Sequence, residues 1–230
     1  MMTPAGSRAS PSPTRVFIID DQPIIRERQT ELIDREPDME VCGEADNTRT
    51  AMDLIARQNP DLVITGLSFK HSHGLGLIKD LRKRSPRLRV LVFSIYDEVL
   101  YGERAIRAGA RGFIEKRAST KELVVAMRRV IGGEVYLSPK VSAATVRRFF
   151  GRTSITPGSP LEQLSDRELE VLQLIGRGRS TRQIATALGV DVKTIETYRG
   201  RIKVKLNLAN ATELVAQAKR YLEQSLSTRV

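Results

Sequence analysis

The chain is poor in the residues that mark secreted, membrane or redox proteins. It contains a single cysteine, Cys42, which cannot form an internal disulfide and therefore favours the cytoplasm over an oxidising compartment. No apolar run is long enough to span a bilayer, and no signal-peptide core precedes the first expected strand. We expect a cytoplasmic protein without membrane partners, in which Cys42 is a small core residue.

Acidic residues are fewer than basic ones. The 230 residues include 27 acids against 38 lysines and arginines, a formal net charge of +11. Such a balance favours a polyanionic partner, and a membrane surface would serve equally well on charge alone. The length suits one large or two medium domains, each with room for a core.

Residues 181–206 have the pattern of two short helices joined by a tight turn. Ala185 is small enough for a close helix crossing, Gly189 suits the turn, and Ile195 returns to the core. Asp191 is expected to N-cap the second helix. That helix would expose basic residues, a pattern typical of a helix-turn-helix whose second helix enters the DNA major groove. An ordinary helical hairpin with a solvated basic face is the alternative.

The first half of the chain alternates between short apolar runs and helical patterns. Residues 1–14 are rich in proline and serine and predict a disordered tail. Over residues 15–136, five β/α repeats with continuously apolar strands predict a parallel sheet covered by helices on both faces. The expected strands are Val16–Ile19, Met39–Cys42, Leu62–Thr65, Val90–Ser94 and Gly112–Glu115.

Polar residues follow several of these strands, at the carboxyl ends where such sheets bind ligands. The stretches IIDDQP (18–23), LVITGLS (62–68), VLVFS (90–94) and GARGFIEK (109–116) resemble the receiver domain of two-component response regulators. The resemblance implies a CheY-like, doubly wound, five-stranded α/β fold. It also implies that Asp20 and Asp21 hold Mg²⁺, that Ser94 and Lys116 bind phosphoryl oxygens, and that Phe113 is the switch aromatic.

The chain departs from that family at the phosphate-accepting position, where Gly66 stands in place of aspartate. Glycine has no carboxylate and cannot form an acyl phosphate. With only Asp20 and Asp21 left, Mg²⁺ binding should be weak or absent, and we expect no required cofactor. In the following loop, His71 and His73 are interpreted as solvated residues rather than a metal pair. Lys70 is a candidate to enter the pocket.

Residues 137–160 predict a linker with a short helix that starts at Ser138 and carries Lys140, Arg147 and Arg148. Residues 161–230 then predict a small all-α domain of four helices, beginning with a capping box at Ser165 and Glu168. The sequence from Leu164 to Leu206 resembles the LuxR-type C-terminal domain of the NarL/FixJ class. Tyr198 and Gly200 are minor departures from that family's pattern.

The helix that starts near Val192 provides the expected contacts with double-stranded DNA. The residues expected to read base edges lie on its solvent side near the amino end, and they are Lys193, Glu196, Thr197 and Gly200. The residues expected to contact phosphates are Thr181, Arg182, Thr194, Tyr198, Arg199, Arg201, Lys203 and Lys205. A dimer on two half-sites is expected, with residues 97–131 as the pairing face of the receiver-like half.

These features predict a DNA-binding transcriptional regulator that is not controlled by aspartyl phosphorylation. The alternative is an interaction protein whose receiver-like half binds a sensor kinase or another regulator, with DNA binding secondary. An enzyme that uses Asp20 and Asp21 is disfavoured, because no paired nucleophile and base accompany them.

Overall fold

The computed structural model of the chain describes residues 12–139, 141 and 160–227. The first eleven residues of the expected tail lie outside this range, as do Lys140, Arg147 and Arg148 of the expected linker helix. Thr14, which was assigned to the tail, instead starts the first strand. Its backbone N–H donates to the carbonyl of Asp38, which ties Thr14 to the start of β2.

The first domain alternates strands and helices as predicted. In chain order its elements are β1 (Thr14–Ile19), α1 (Pro23–Ile33), β2 (Met39–Ala45), α2 (Thr48–Gln58), β3 (Leu62–Thr65), β4 (Ser68–Phe69), β5 (Ser72–His73), α3 (Gly74–Arg84), β6 (Arg89–Ser94), α4 (Glu98–Ala108), β7 (Gly112–Glu115) and α5 (Thr120–Ile131). Five strands form one parallel sheet in the order β2-β1-β3-β6-β7. The expected doubly wound α/β fold is confirmed. The small antiparallel pair β4–β5 was not expected.

Both faces of this sheet are buried, because alternate residues of each strand point to opposite sides. Phe17, Val63 and Val92 face a cluster that contains α2, α3 and α4. Ile18, Ile64 and their neighbours face a second cluster formed with α1 and α5. The continuous apolar character of the strands follows from this double coverage.

Residues 160–227 of the second domain contain four α-helices, as predicted. They are α6 (Asp166–Gly176), α7 (Thr181–Leu188), α8 (Val192–Lys205) and α9 (Ala211–Ser227), preceded by a 3-10 turn at Pro160–Gln163. Ser165 with Glu168, and Ser180 with Gln183, form complete capping boxes at the starts of α6 and α7. These boxes satisfy backbone N–H groups that a first helical turn leaves unpaired.

The turn between α7 and α8 has the geometry that the sequence predicts. Gly189 lies in the left-handed region with φ of 66°, and Ala185 and Ile195 are buried. Asp191 stands at the N-cap position of α8, but its side chain makes no capping hydrogen bond. The prediction that its carboxylate caps the helix is therefore wrong. The position and extended backbone of the cap are as expected.

Gly176 and Gly200 make a matched test of helix packing in this domain. A Cβ at Gly176 would lie 2.6 Å from the carbonyl oxygen of Ala218, so Gly176→Ala should separate α6 from α9 and destabilise the domain by about 1–3 kcal/mol. A Cβ at Gly200 would meet nothing within 4 Å, so Gly200→Ala should stabilise α8 by about 0.5–1 kcal/mol. Urea unfolding followed by circular dichroism measures both. Loss of stability in both variants alike would contradict this account of the α6–α9 contact.

Candidate nucleic-acid interface and acidic pocket

Helix α8 has one side packed into its domain and one side open. Ile195 and Ile202 are fully buried against the other helices. Lys193, Glu196, Thr197 and Arg201 are exposed, and Val204 is 82% exposed. Because a Cβ at Gly200 would meet no atom within 4 Å, nothing in the described chain covers the middle of this face. The expected base-reading residues thus share an accessible surface.

The cations of α8 differ in whether the protein's own acids engage them. Lys205 Nζ lies 2.6 Å from a carboxylate oxygen of Glu168, a side chain that is only 3% exposed. Arg199 Nε lies 3.7 Å from Glu196. Among the described residues, no carboxylate pairs with Lys193, Arg201 or Lys203. A phosphate contact by Lys205 would therefore first have to break an internal ion pair.

Two further details affect the predicted contacts. The Thr197 hydroxyl donates to the carbonyl of Lys193 at 3.0 Å, which leaves it free only to accept a hydrogen bond from a base. Arg182 is exposed near the start of α7 and lines a cleft of about 410 Å³ together with Gly189 and Val192. The fold therefore brings Arg182 to the amino end of α8. Thr181, Thr194 and Tyr198 are half-buried.

At the carboxyl edge of the parallel sheet, the predicted pocket residues come together. Asp20 is buried, and its Oδ2 lies 2.6 Å from Lys116 Nζ. Ser94 is buried at the end of β6, where its Oγ accepts a hydrogen bond from the Tyr96 N–H at 3.2 Å. Phe113 is fully buried on β7. Partial burial and the charge of Asp20 raise the pKa of Asp21, while Lys116 acts in the opposite direction.

Gly66 follows β3 directly and faces Asp20. Its N–H donates to the carbonyl of Ile19, and a Cβ built on it would lie 3.4 Å from Asp20 Oδ2 and 3.7 Å from the ring of Phe69. A side chain at this position would thus point at the Asp20 carboxylate. Lys70 is exposed, and its charge is the smallest of the influences on the Asp21 pKa.

The residues of this pocket do not fit a divalent cation. Mg²⁺ requires near-octahedral oxygen coordination, yet Asp20 is already paired with Lys116 and only Asp21 accompanies it. Among the side chains that the structure describes, no group of three His, Cys, Asp or Glu residues is placed to hold a metal. Lys116 supplies the positive charge that Asp20 needs.

Comparison with known proteins accounts for both domains. The response regulator receiver domain matches residues 16–128, and the luxR family of bacterial regulatory proteins matches residues 162–218. The oxygen regulatory protein NreC of Staphylococcus carnosus is 33% identical over 208 residues, which cover 89% of this chain and 96% of NreC. The chain belongs to the response regulators that carry a luxR-type DNA-binding domain. This is a family of transcription regulators rather than enzymes, and both resemblances seen in the sequence are confirmed.

Other relatives of this response regulator agree. The transcriptional regulatory protein DegU of Brevibacillus brevis is 29% identical over 217 residues, covering 89% of this chain and 92% of DegU. A LuxR-family response regulator from Aurantimonas is 28% identical with a TM-score of 0.56, over 60% of this chain and 99% of that one. RcsB of Salmonella enterica serovar Typhimurium, solved bound to promoter rprA, shares the fold with a TM-score of 0.62 at 22% identity. The match covers 90% of this chain and 99% of the RcsB chain. In the described residues, no helix is long and apolar enough to cross a membrane.

The receiver domain packs against the DNA-binding domain around one buried carboxylate. Glu170 of α6 is fully buried, and its Oε1 accepts hydrogen bonds from Tyr96 Oη at 2.5 Å and Ser68 Oγ at 3.0 Å. Its Oε2 lies 2.5 Å from Arg167 Nη1. Burial and the charge of Glu170 raise the pKa of Tyr96 well above its usual value, so this hydroxyl stays protonated and donates.

Further polar contacts surround this carboxylate. Arg104 of α4 binds the Asp166 carboxylate at 3.0 Å and the Leu161 carbonyl at 2.7 Å. The His71 N–H donates to the Leu188 carbonyl at 3.0 Å, at the turn before α8. Lys79 also approaches Asp166, at 3.5 Å. The contact between the domains therefore reaches from α6 to the end of α7.

The interpretation of both loop histidines as solvated is wrong for His73. Its side chain is 8% exposed, and its Nδ1 accepts a hydrogen bond from the Leu75 N–H at the start of α3. Burial lowers the pKa of His73, although Glu170 at 3.9 Å opposes this effect. His71 is exposed, but its ring would lie 2.7 Å from a Cβ on Gly189. No sequence pattern signalled the contacts with Glu170 and Gly189, because these residues are about a hundred positions away.

Tyr96 and Tyr101 offer a matched test of the Glu170 contact. Both rings are buried and stack at 4.9 Å, but the Tyr101 hydroxyl has no hydrogen-bond partner in the described part of the chain. Tyr96→Phe should cost about 1.5–3 kcal/mol in the free energy of unfolding, because it removes a hydrogen bond to a charged group. Tyr101→Phe should be neutral or slightly stabilising. Urea unfolding compares the two variants, and an equal loss in both would refute the role given to the Tyr96 hydroxyl.

Proposed function

We propose that this response regulator controls transcription by placing α8 in the major groove of double-stranded DNA, without aspartyl phosphorylation. The observation that carries the DNA-binding part is the open face of α8, where Lys193, Arg201 and Lys203 have no carboxylate partner among the described residues. Unpaired cations on an uncovered helix suit phosphate contacts on either side of the groove.

Sequence reading is assigned to the four residues near the amino end of this face. Glu196 can accept a hydrogen bond from a cytosine amino group, and Lys193 can donate to guanine. Thr197 acts as an acceptor only, because its hydroxyl proton is used within the helix. Gly200 allows close approach of the helix to the groove. The eight expected backbone contacts orient the helix, with Lys205 the least available because of Glu168.

Alanine variants of Lys203 and Lys205, two lysines of α8, test the assignment of phosphate contacts to this helix. An operator is first selected from a random DNA pool with the full chain, and a salt-resistant preference for one sequence is expected. Lys203→Ala should then weaken binding to all DNA and reduce the slope of log affinity against log salt by about one unit. Lys205→Ala should change that slope less, because Lys205 is held by Glu168, and should lower protein stability more.

Fluorescence anisotropy over a series of salt concentrations gives both slopes. Lys83→Ala on α3 provides a charge-matched control in the receiver domain, outside the proposed pairing face, and should leave the slope unchanged. Absence of any sequence preference, or equal slope changes for all three variants, would contradict the proposed interface.

The phosphorylation-independent part of the proposal rests on Gly66. We assign it to the position that holds the phosphate-accepting aspartate in receiver domains, since it follows β3 and faces Asp20. Glycine offers no nucleophile for a phosphoryl group. The ion pair between Lys116 and Asp20 supports a pocket that balances its charge without metal. The receiver domain then acts through partner or ligand contacts, for which a sensor kinase or another regulator remains a candidate.

Restoring a carboxylate at this position tests the assignment. Incubated with acetyl phosphate and Mg²⁺, the natural chain should acquire no hydroxylamine-labile phosphoryl group. Gly66→Asp should acquire one, because it adds the third carboxylate beside Asp20 and Asp21, whereas the equally large Gly66→Asn should not. Phosphate incorporation measured by intact-protein mass spectrometry distinguishes the three. Labelling of the natural chain would refute phosphorylation independence.

Pairing of two copies through residues 97–131 is part of the same proposal, with one restriction. Arg104 and Tyr101 of α4 already face the DNA-binding domain, so they are not available to a second copy. Val99 on α4 and Val125 on α5 are about half exposed and remain available. We place the regulator in the cytoplasm, where its DNA partner and its unpaired Cys42 are both accommodated.

A further inference from the structure

A second concentration of positive charge lies at the end of the receiver sheet opposite to Asp20. Four arginines line a cleft of about 920 Å³ here, and no acidic residue takes part in its lining. We call it the arginine cleft, and its arginines are Arg82, Arg87, Arg89 and Arg111. They come from the end of α3, the loop before β6, the first residue of β6 and the loop before β7. The cleft therefore belongs to the amino ends of the strands, away from the acidic pocket.

The guanidinium groups of this cleft are not neutralised by the protein. No ion pair joins any of the four to a carboxylate among the described residues, and the one hydrogen bond from these side chains runs from Arg82 to the Arg107 carbonyl at 3.5 Å. Helices α3 and α4 both end here, and each carboxyl end carries roughly half a negative charge, which offsets about one of the four positive charges. An excess of about three charges faces the cleft.

The cleft also has fixed walls. Gly109 has φ of 122°, and a Cβ on it would lie 2.5 Å from Cδ of Arg82, so the stem of this arginine packs directly on the turn. Leu88 and Ile106 line it as half-buried apolar side chains, and Val135 is 44% exposed at its rim. The volume falls within the range of small-molecule sites, roughly 300–1,000 Å³. Arginines held beside apolar surface suit a ligand that has both phosphates and a flat ring.

We propose that the arginine cleft binds a nucleotide with two or more phosphates, with the guanidinium groups on the phosphates and the base against the apolar wall. Guanidinium–phosphate pairs are charge-assisted and commonly bidentate, so several arginines on one polyphosphate select it over a single phosphate. The backbone at Tyr136 pairs with Arg111 and Phe113 beside the cleft. A bound nucleotide would therefore lie where the chain leaves the receiver domain toward the DNA-binding domain.

Isothermal titration calorimetry of the full chain with ADP, GDP, AMP and pyrophosphate tests the proposal. ADP or GDP should bind at one site per chain, and AMP should bind about tenfold or more weakly, because one phosphate reaches fewer guanidinium groups. Pyrophosphate should bind more weakly than the diphosphate nucleotides because it lacks the ring. Equal affinity for pyrophosphate and ADP would overturn the nucleotide assignment, as would the absence of ADP and GDP binding.

Matched variants locate the site. Arg87 and Arg111 are exposed, so Arg87→Gln with Arg111→Gln should leave the fold intact and lower the affinity for ADP by about tenfold or more. Arg35→Gln with Arg57→Gln removes the same charge from an exposed surface elsewhere and should leave ADP affinity unchanged. Lys193→Ala with Lys203→Ala should weaken DNA binding but not ADP binding.

Three results of the variant series would overturn the proposal. One is an equal loss of ADP affinity in the Arg35 and Arg57 variant, which would reduce the effect to net charge. Another is a loss of ADP affinity only in the α8 variant, which would assign the nucleotide to the DNA-binding face. The third is weaker retention of duplex DNA by the Arg87 and Arg111 variant without nucleotide binding by the natural chain, which would make the cleft a nucleic-acid surface.

Discussion

The burial of Glu170 is the constraint on which the arrangement of the two domains depends. A buried carboxylate is tolerated only where donors replace the water that it loses, and removal of its charged partner costs about 3–5 kcal/mol. Arg167 comes from its own helix, but the Tyr96 and Ser68 hydroxyls come from the receiver domain. Separation of the domains would therefore leave this carboxylate with one protein partner instead of three. The contact specifies one packing of α6 on the receiver domain.

The receiver segment that meets Glu170 is also the one that begins at the acidic pocket. Ser68 lies two residues after Gly66, and the Gly74 N–H returns to the carbonyl of Leu67, so β4 and β5 form a compact hairpin on the pocket edge. The far end of this hairpin donates from His71 to Leu188, next to the turn before α8. One short segment thus contacts the edge near Asp20, the buried carboxylate and the helix pair. The β4–β5 hairpin therefore connects the acidic pocket of the receiver domain directly to the helices of the DNA-binding domain.

Local patterns in the sequence predicted most of this fold, but they did not predict contacts between residues that are distant in the chain. The capping box at Ser165 and Glu168 involves residues three apart, and the sequence alone predicts it. The strand ends that bring Asp20, Ser94 and Lys116 together follow from parallel topology. His73, by contrast, is buried beside Glu170, which lies almost a hundred residues later, so no local pattern could indicate its burial. The Lys205–Glu168 pair was missed for the same reason, since nothing within α8 indicates that one of its lysines is engaged.

Whether a cation is paired with an internal carboxylate determines where a polyanion can bind. A net charge of +11 attracts polyanions to the whole molecule but does not identify a surface, because several cations are already satisfied. Arg104 is held by Asp166, Lys116 by Asp20 and Lys205 by Glu168. The open face of α8 and the arginine cleft stand apart because their cations lack such partners and lie on surfaces shaped differently. A convex helix suits a groove, whereas a walled cleft suits a small ligand, and we therefore assign the two surfaces to two kinds of phosphate recognition.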